Sequence, residues 1–351
     1  MIGLLQRLSD AIGVSGNEGA VRDILHKDIA QYCNHVRIDA LGNLICHKAP
    51  RSEVAGDAWP RTVMVAAHMD EIGLMITFIN DDGSLRFGPV GGIDPRILVA
   101  KRVVIGEKAV PGVIGARPIH LTKAEDRRKV LAINDLVIDI GAKDKDAAAA
   151  LVSPGDYAGF ITRFQVLDET GLRTASGKAF DDRVGCAVLA QLVRGDYPFD
   201  LYAVFTAQEE VGLRGATVAA QGIEPDVAFA LEGTICDDLP KDEDVSPVTV
   251  LGDGPAITLM DRSFIADRRL VDHLVRTAEA RSLPYQFKRV VAGGTDSGAM
   301  HLAGEGVPAV TVAVPARYIH GPVGMISLTD VEATVTLMRA ALETLQGGVT
   351  R

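Results

Sequence analysis

Two short strings hold most of the chemically capable side chains of this chain: Ala66-Ala67-His68-Met69-Asp70-Glu71 and Thr206-Ala207-Gln208-Glu209-Glu210-Val211-Gly212. Asp181-Asp182, Glu232 and His320 extend the set. Imidazole and carboxylate donors are what zinc, cobalt and manganese accept, and they also move protons near neutral pH. His68 and Asp70 are two residues apart, so on an extended backbone both fall on one face. There the carboxylate can take the second ring N–H, fixing the tautomer of a ligating imidazole. Glu209 and Glu210 are neighbours and cannot both point one way along a strand. At a strand-to-loop break they can flank one centre, one as a ligand and the other, its pKa raised by its neighbour, as a general base. Asp181-Asp182 has a local explanation as the cap and first turn of a helix. A carboxylate there can equally bridge two cations about 3.5 to 4 Å apart.

The elements that must position these groups are legible as apolar runs. Residues 62–67 and 201–206 read as buried strands ending just before His68 and Glu209-Glu210, residues 226–231 end before Glu232, and 308–314 end six residues before His320. Open α/β sheets place ligands at such strand ends. Singly, each polar residue has an ordinary structural reading; four together argue for a metal centre, because adjacent buried carboxylates are costly without a cation. The loop Gly293-Gly294-Thr295-Asp296-Ser297-Gly298 lacks both GxGxxG spacing and a phosphate-loop lysine, and reads as a tight turn near the site. His26, His35, His47, His120, His273 and His301 have no comparable company and read as surface or packing residues.

Along the chain, the first 30 residues read as helix, turn and helix. The second helix starts at Ser15, with Glu18 at capping-box spacing. Strands are expected at 35–39, 43–47 and 62–67. Between 72 and about 160, short β-rich pieces (74–79, 102–105, 136–139) alternate with Asp-Gly, Gly-Gly and Pro-Gly turns, the texture of a small all-β insert. After residue 179, helices at 182–194, 213–221, 267–281 and 329–345 alternate with strands at 201–206, 226–231 and 308–314. The expected fold is α/β: a mostly parallel sheet flanked by helices, divided by the insert. The parts are 1–70, 71–165 and 166–351, with the insert between two halves of one catalytic domain.

Composition narrows the function. With 36 Lys+Arg against 46 Asp+Glu the formal charge is −10, and no basic block occurs, which excludes nucleic acid and anionic membranes as expected partners. The 47% hydrophobic share and mean hydropathy of +0.17 are high. Yet no run approaches the roughly 18 apolar residues of a membrane span, so the excess suits subunit contacts. Residues 1–7 lack the basic start and apolar core of a secretory signal, and a cytoplasmic location is expected. Cys33, Cys46, Cys186 and Cys236 form no CxxC pair and are expected as buried free thiols.

In this order, the strings Ala67-His68-Met69-Asp70-Glu71-Ile72-Gly73, Lys178-Ala179-Phe180-Asp181-Asp182-Arg183, Glu209-Glu210-Val211-Gly212, Gly294-Thr295-Asp296 and Arg317-Tyr318-Ile319-His320 resemble the tetrahedral (TET-type) dinuclear metalloaminopeptidases. That family includes deblocking and glutamyl aminopeptidases and members once called endoglucanases. The resemblance covers almost the whole chain. It implies a zinc-peptidase-like catalytic domain, an inserted small β-barrel and assembly into a homododecamer. It further implies two divalent metal ions per subunit (zinc, cobalt or manganese), and cleavage of N-terminal residues from peptides by a two-metal-activated water. His68, Asp181 and Glu232 would then hold one metal, and Asp181, Glu210 and His320 the other, with Glu209 the base and Asp70 the group orienting His68. In related two-metal peptidases the bridging carboxylate stands four residues before a glycine. Gly185 stands four after Asp181, which makes Asp181 the bridge and implies a cis bond to Asp182. Many relatives carry Asp where this chain has Glu232. The rival readings are a metal-dependent deacylase or carboxypeptidase on a related domain, a glycoside hydrolase, which needs two carboxylates but no histidines, and a scaffold without turnover.

Overall fold

The alternation of apolar runs and amphipathic helices builds one large sheet covered on both faces, and the turn-rich stretch builds a closed barrel. The computed structural model describes residues 1–51, 58–125, 128–240 and 247–349. Helices α1 (Ile2–Asp10) and α2 (Gly19–Ile29) lead to the hairpin β1 (His35–Ile38) and β2 (Leu44–Lys48), then to β3 (Thr62–His68). The insert contributes β4 (Gly73–Ile79), β5 (Leu85–Val90), β6 (Arg102–Ile105), β7 (Val110–Gly115), β8 (Val137–Asp139), the short α3 (Lys145–Ala149) and β9 (Tyr157–Phe160). The chain returns through β10 (Gln165–Val166), β11 (Thr174–Gly177), α4 (Phe180–Leu192), β12 (Asp200–Thr206), α5 (Arg214–Ile223), β13 (Val227–Cys236) and β14 (Ala256–Thr258). It closes with α6 (Arg268–Ala280), β15 (Gln286–Phe287), α7 (Ser297–Met300), β16 (Ala309–Arg317), β17 (Gly324–Ser327) and α8 (Leu328–Gly348).

The main sheet runs β1-β2-β12-β3-β13-β16-β17-β11-β10, with β14 and β15 beside β16. Its four central strands β12, β3, β13 and β16 are parallel, as the alternation requires, while the flanking strands β2, β17, β11 and β14 pair antiparallel. Parallel strands covered on both sides read as continuous apolar runs. In β3, Val63, Val65 and Ala67 face the core under α4, α6 and α8, and Met64 and Ala66 face the core shared with α5 and α7. On that second face the small side chains of Ala216, Ala219 and Ala220 let α5 lie close to the sheet. Helix α6 buries Leu270, Leu274 and Ala278, four residues apart, and starts at Asp267, whose carboxylate accepts the N–H of Arg269.

Strands β4-β5-β8-β7-β6-β9 close on themselves and leave no open edge. Alternate residues, Leu74, Ile76, Leu85, Ile105, Ile114 and Ile138 among them, fill a separate core. No described helix is long and apolar enough to cross a membrane.

Three expectations need correction. Ser15 and Glu18 do not form a capping box: α2 begins at Gly19, and both side chains reach across the chain, Ser15 Oγ to Asp70 and Glu18 to the N–H groups of Gly16 and Gln208. Cys33 and Cys46 are not free. The β1–β2 hairpin brings their Cα atoms to 5.9 Å and they form a disulfide, while Cys186 and Cys236 are the free, buried thiols. Finally, β13 and β16 do not stop at residues 231 and 314. Their parallel pairing continues in register to Cys236 and Arg317, so Glu232 is an inner strand residue opposite Ala313.

Candidate metal centre

The site lies where the central strands part. Pairing between β12 and β3 reaches Thr206 and His68, but pairing between β3 and β13 goes no further than Ala66 and Ala230. The crevice beyond receives His68 from the last position of β3 and Glu232 from β13. After β12 the backbone turns through Gln208, at φ +58, and that bend aims Glu209 and Glu210 inward together. Asp181 comes from the irregular start of α4, where neither it nor Asp182 has helical backbone angles and the bond between them is cis. His320 arrives on the β16–β17 loop, itself at φ +54.

These five candidate ligands and Glu209 converge. His68 Nε2 stands 3.1 Å from Asp181 Oδ1, 3.5 Å from Glu232 Oε2 and 3.9 Å from Glu209 Oε2. His320 Nε2 stands 3.7 Å from Asp181 Oδ2 and 3.6 Å from Glu210 Oε2. Asp181 therefore offers one oxygen to each histidine. The donor atoms of His68, Asp181 and Glu232, and those of Asp181, Glu210 and His320, lie within 4.8 Å of one another, as do those of His68, Glu209 and Glu210.

The surrounding groups fix these donors. Asp70 lies beneath, 3.4 Å from His68 Nδ1, while its carboxylate accepts Ser15 Oγ–H at 2.6 Å and the N–H groups of Glu209 and Glu210 at 3.0 and 3.1 Å. Its own carbonyl oxygen also lies 3.2 Å from His68 Nδ1, so Asp70 meets the imidazole with both backbone and side chain while its carboxylate clamps the glutamate pair. Burial would raise the Asp70 pKa, but the hydrogen bond and charge of His68, with Ser15 and the backbone donors, hold it below the usual range. Asp182 points away from the donors and accepts the N–H groups of His68 and Gly185. A Cβ at Gly185 would fall on that carboxylate, which explains a glycine in the first turn of a helix. His320 Nδ1 donates to Gly92 O at 2.9 Å, a contact with the loop that follows β5.

The donor set fits a divalent cation. Burial first, and then mutual repulsion, pushes Glu209, Glu210 and Glu232 well above the ordinary carboxylate range, with His68 pulling the other way. His68 is raised well above its usual value: burial opposes this, but Glu209, Asp181, Asp70 and Glu232 outweigh it. Among the described residues, no lysine or arginine pairs with Asp181, Glu209, Glu210 or Glu232; histidines alone face them. So concentrated a negative charge, with no lysine or arginine against it among the described residues, suits a carboxylate- and histidine-bound cation.

Some residues around the site carried a sequence signal with another reading. Ser15 and Glu18 carried one that also fits a helix cap. Asp296, in the glycine loop expected beside the site, is buried, accepts Thr206 Oγ1 at 2.5 Å and donates its N–H to Glu232 Oε1. Behind Asp70, Glu71 is held by Lys178 and Arg183, all three buried. As expected, the other histidines lie outside the centre; His273 is buried in packing, bonded to Ala341 O.

Residues 42–337 match the family described as M42 glutamyl aminopeptidase. The chain belongs to this family. It is a hydrolase of the metal-dependent aminopeptidase type. The enzyme is 33% identical to the lysyl aminopeptidase of Pyrococcus furiosus over 98% of this chain and 97% of that one. Among solved structures it superposes on a TET aminopeptidase from a marine sediment Thaumarchaeota archaeon with a TM-score of 0.92 at 33% identity, covering 98% and 96% of the two chains. A TET peptidase of Pyrococcus horikoshii, which can assemble into a tetrahedron or a large octahedral shell, gives a TM-score of 0.84 at 36% identity over 97% and 98%.

Proposed function

We propose that the enzyme removes N-terminal residues from peptides with two divalent ions per subunit, drawn from zinc, cobalt or manganese. His68, Asp181 and Glu232 would hold one, and Asp181, Glu210 and His320 the other. The observation that carries this reading is Asp181, whose two oxygens face His68 and His320 separately. Bound there, the ions supply Lewis acidity and stabilise developing negative charge. Glu209 is the general base. It lines the cavity and is fixed through its own N–H by Asp70. Its carboxylate takes a proton from the attacking water and returns it to the leaving amine. Asp70 acts through others, orienting His68 and fixing the backbone that carries both glutamates. Glu232, from the strand interior, reaches His68 with the longer glutamate arm.

The same reading includes self-association, with the 71–165 insert as an assembly domain joined to a catalytic body of 1–70 and 166–351. The insert exposes Phe78 and Val113 on its barrel and Ile119 and Leu121 beyond β7, and the P. horikoshii relative can assemble into a tetrahedron or a large octahedral shell. We propose a homododecamer located in the cytoplasm. The test is dialysis against a chelator followed by reconstitution. Hydrolysis of aminoacyl substrates should vanish and return with cobalt, zinc or manganese at two ions per subunit. Full turnover by metal-free protein would overturn the reading.

A further inference from the structure

Among the candidate ligands, Glu232 alone stands inside a strand, and its long side chain must be aimed across the crevice that opens between β3 and β13. A glutamate loses rotamer freedom when it is held in one conformation, so another group has to fix it. One oxygen is fixed: Oε1 accepts the backbone N–H of Asp296 at 3.3 Å, which leaves Oε2 facing His68 Nε2 at 3.5 Å. That N–H is itself tied down. Asp296 precedes α7, yet its carboxylate does not cap the helix. It turns to the end of β12, where Oδ2 accepts Thr206 Oγ1–H at 2.5 Å, while Oδ1, also buried, has no partner among the described residues. Thr206 pairs with His68 across β12 and β3, so the grip on Asp296 starts from the position beside the facing ligand. On the other side, Thr295 Oγ1 donates to Asp261 at 3.1 Å and lies 2.9 Å from Thr311 Oγ1 on β16.

Neither Thr206 nor Asp296 lines the cavity beside the centre, and both are buried, so neither touches a substrate there. Without the Thr206 hydroxyl a buried carboxylate would lose its donor, and Asp296 would be free to carry its N–H away from Glu232. We propose that Thr206 and Asp296 form a positioning pair that aims Glu232, setting the metal affinity of the half of the centre made by His68, Asp181 and Glu232. The half made by Asp181, Glu210 and His320 does not depend on the pair. This rests on the two-ion reading above and names what holds one of its ligands. Removing a group that orients a metal ligand weakens metal binding by about 10- to 10²-fold.

The test titrates metal-free protein with cobalt and follows both the heat of binding and the visible absorption of the bound ion. The proteins are wild type, Thr206→Val, Thr206→Ser, Glu232→Asp and the double variant Thr206→Val with Glu232→Asp, each checked for folding by thermal melt. Thr206→Val should weaken one binding step by about 10- to 10²-fold and shift its absorption bands, while the other step changes far less. Thr206→Ser keeps the hydroxyl and should restore both. Glu232→Asp shortens the arm so that it no longer reaches the Asp296 N–H, and with it in place Thr206→Val should add nothing. If Thr206→Val does not fold, Thr206→Cys, a weak S–H donor in the same place, should give a smaller shift in the same direction. Two unchanged steps in the folded variant overturn the proposal, and so does an equal weakening in the Glu232→Asp background, the mark of a merely structural role. A wild type that takes up no second cobalt ion would bring down the two-ion reading itself.

Discussion

Replacing Glu71 by glutamine removes one negative charge from a nearly solvent-free cluster and leaves two cations behind. Glu71 accepts Lys178 Nζ at 2.7 and 2.8 Å, Arg183 at 3.2 Å and the N–H of Gly13 at 2.9 Å. Burial pushes the Lys178 ammonium down from 10.5 to about 8, even though the attraction of Glu71 works against it. That fall corresponds to roughly 3 kcal/mol spent on holding the charge inside. Breaking a buried pair by removing one partner typically costs about 3 to 5 kcal/mol, and we expect Glu71→Gln to lower the unfolding free energy by that amount near pH 7. Lys178→Met should cost less, because Glu71 keeps Arg183. The assay is urea unfolding at matched protomer concentration.

The sign with pH follows from proton binding. In wild type the unfolded state holds more protons than the native one between about pH 8 and 10.5, so this residue's cost is full below 8 and is relieved as pH rises through that window. Without Glu71 the native pKa falls further, relief starts at lower pH, and the deficit of the variant against wild type should narrow as pH rises towards 8. A deficit below about 1 kcal/mol, or one that widens with pH, would refute this account of the cluster.

Two further substitutions probe the centre directly. Glu209→Gln should retain its metal, measured by plasma emission, while kcat falls by about 10² to 10⁴, the usual range for loss of a general base; loss of a metal instead would exchange the roles of Glu209 and Glu210. Gly185→Ala forces a methyl onto the Asp182 carboxylate, which also holds the backbone of His68. It should lower stability by about 1 to 3 kcal/mol and reduce metal content. Full stoichiometry at unchanged stability would show that the helix start has room to spare.

Much of the centre was legible because the fold uses strand ends, and a strand end is where an apolar run stops. His68, Glu209, Glu210 and His320 each follow such a run. Glu232 also follows one, but the strand continues past it because the pairing partner continues too, which no single run records. The longer helices after residue 179 (α4, α5, α6 and α8) were legible through their periodicity, whereas the four-residue α7 lies partly in the glycine loop read as a tight turn. The Ser15–Glu18 spacing misled because the same oxygens that cap a helix can bond to loop groups, here Asp70 after β3 and Gln208 after β12. Glu71 and Lys178 are 107 residues apart and the Cys33–Cys46 link depends on a hairpin, so their partnership exists only once the chain has folded.

The hydrogen bond from His320 to Gly92 O ties a candidate ligand on the catalytic side to a loop of the barrel. Anyone grafting the barrel of a relative into this body, to alter the assembly proposed above, would be transplanting a contact of a candidate ligand. A donor loop whose carbonyl sat an ångström away would let the ring turn, and the chimera would fold yet lose metal affinity at the proposed centre. Exchange between such enzymes should therefore keep residues 91–93 with the body and place the seams further out along β5 and the segment leading into β6.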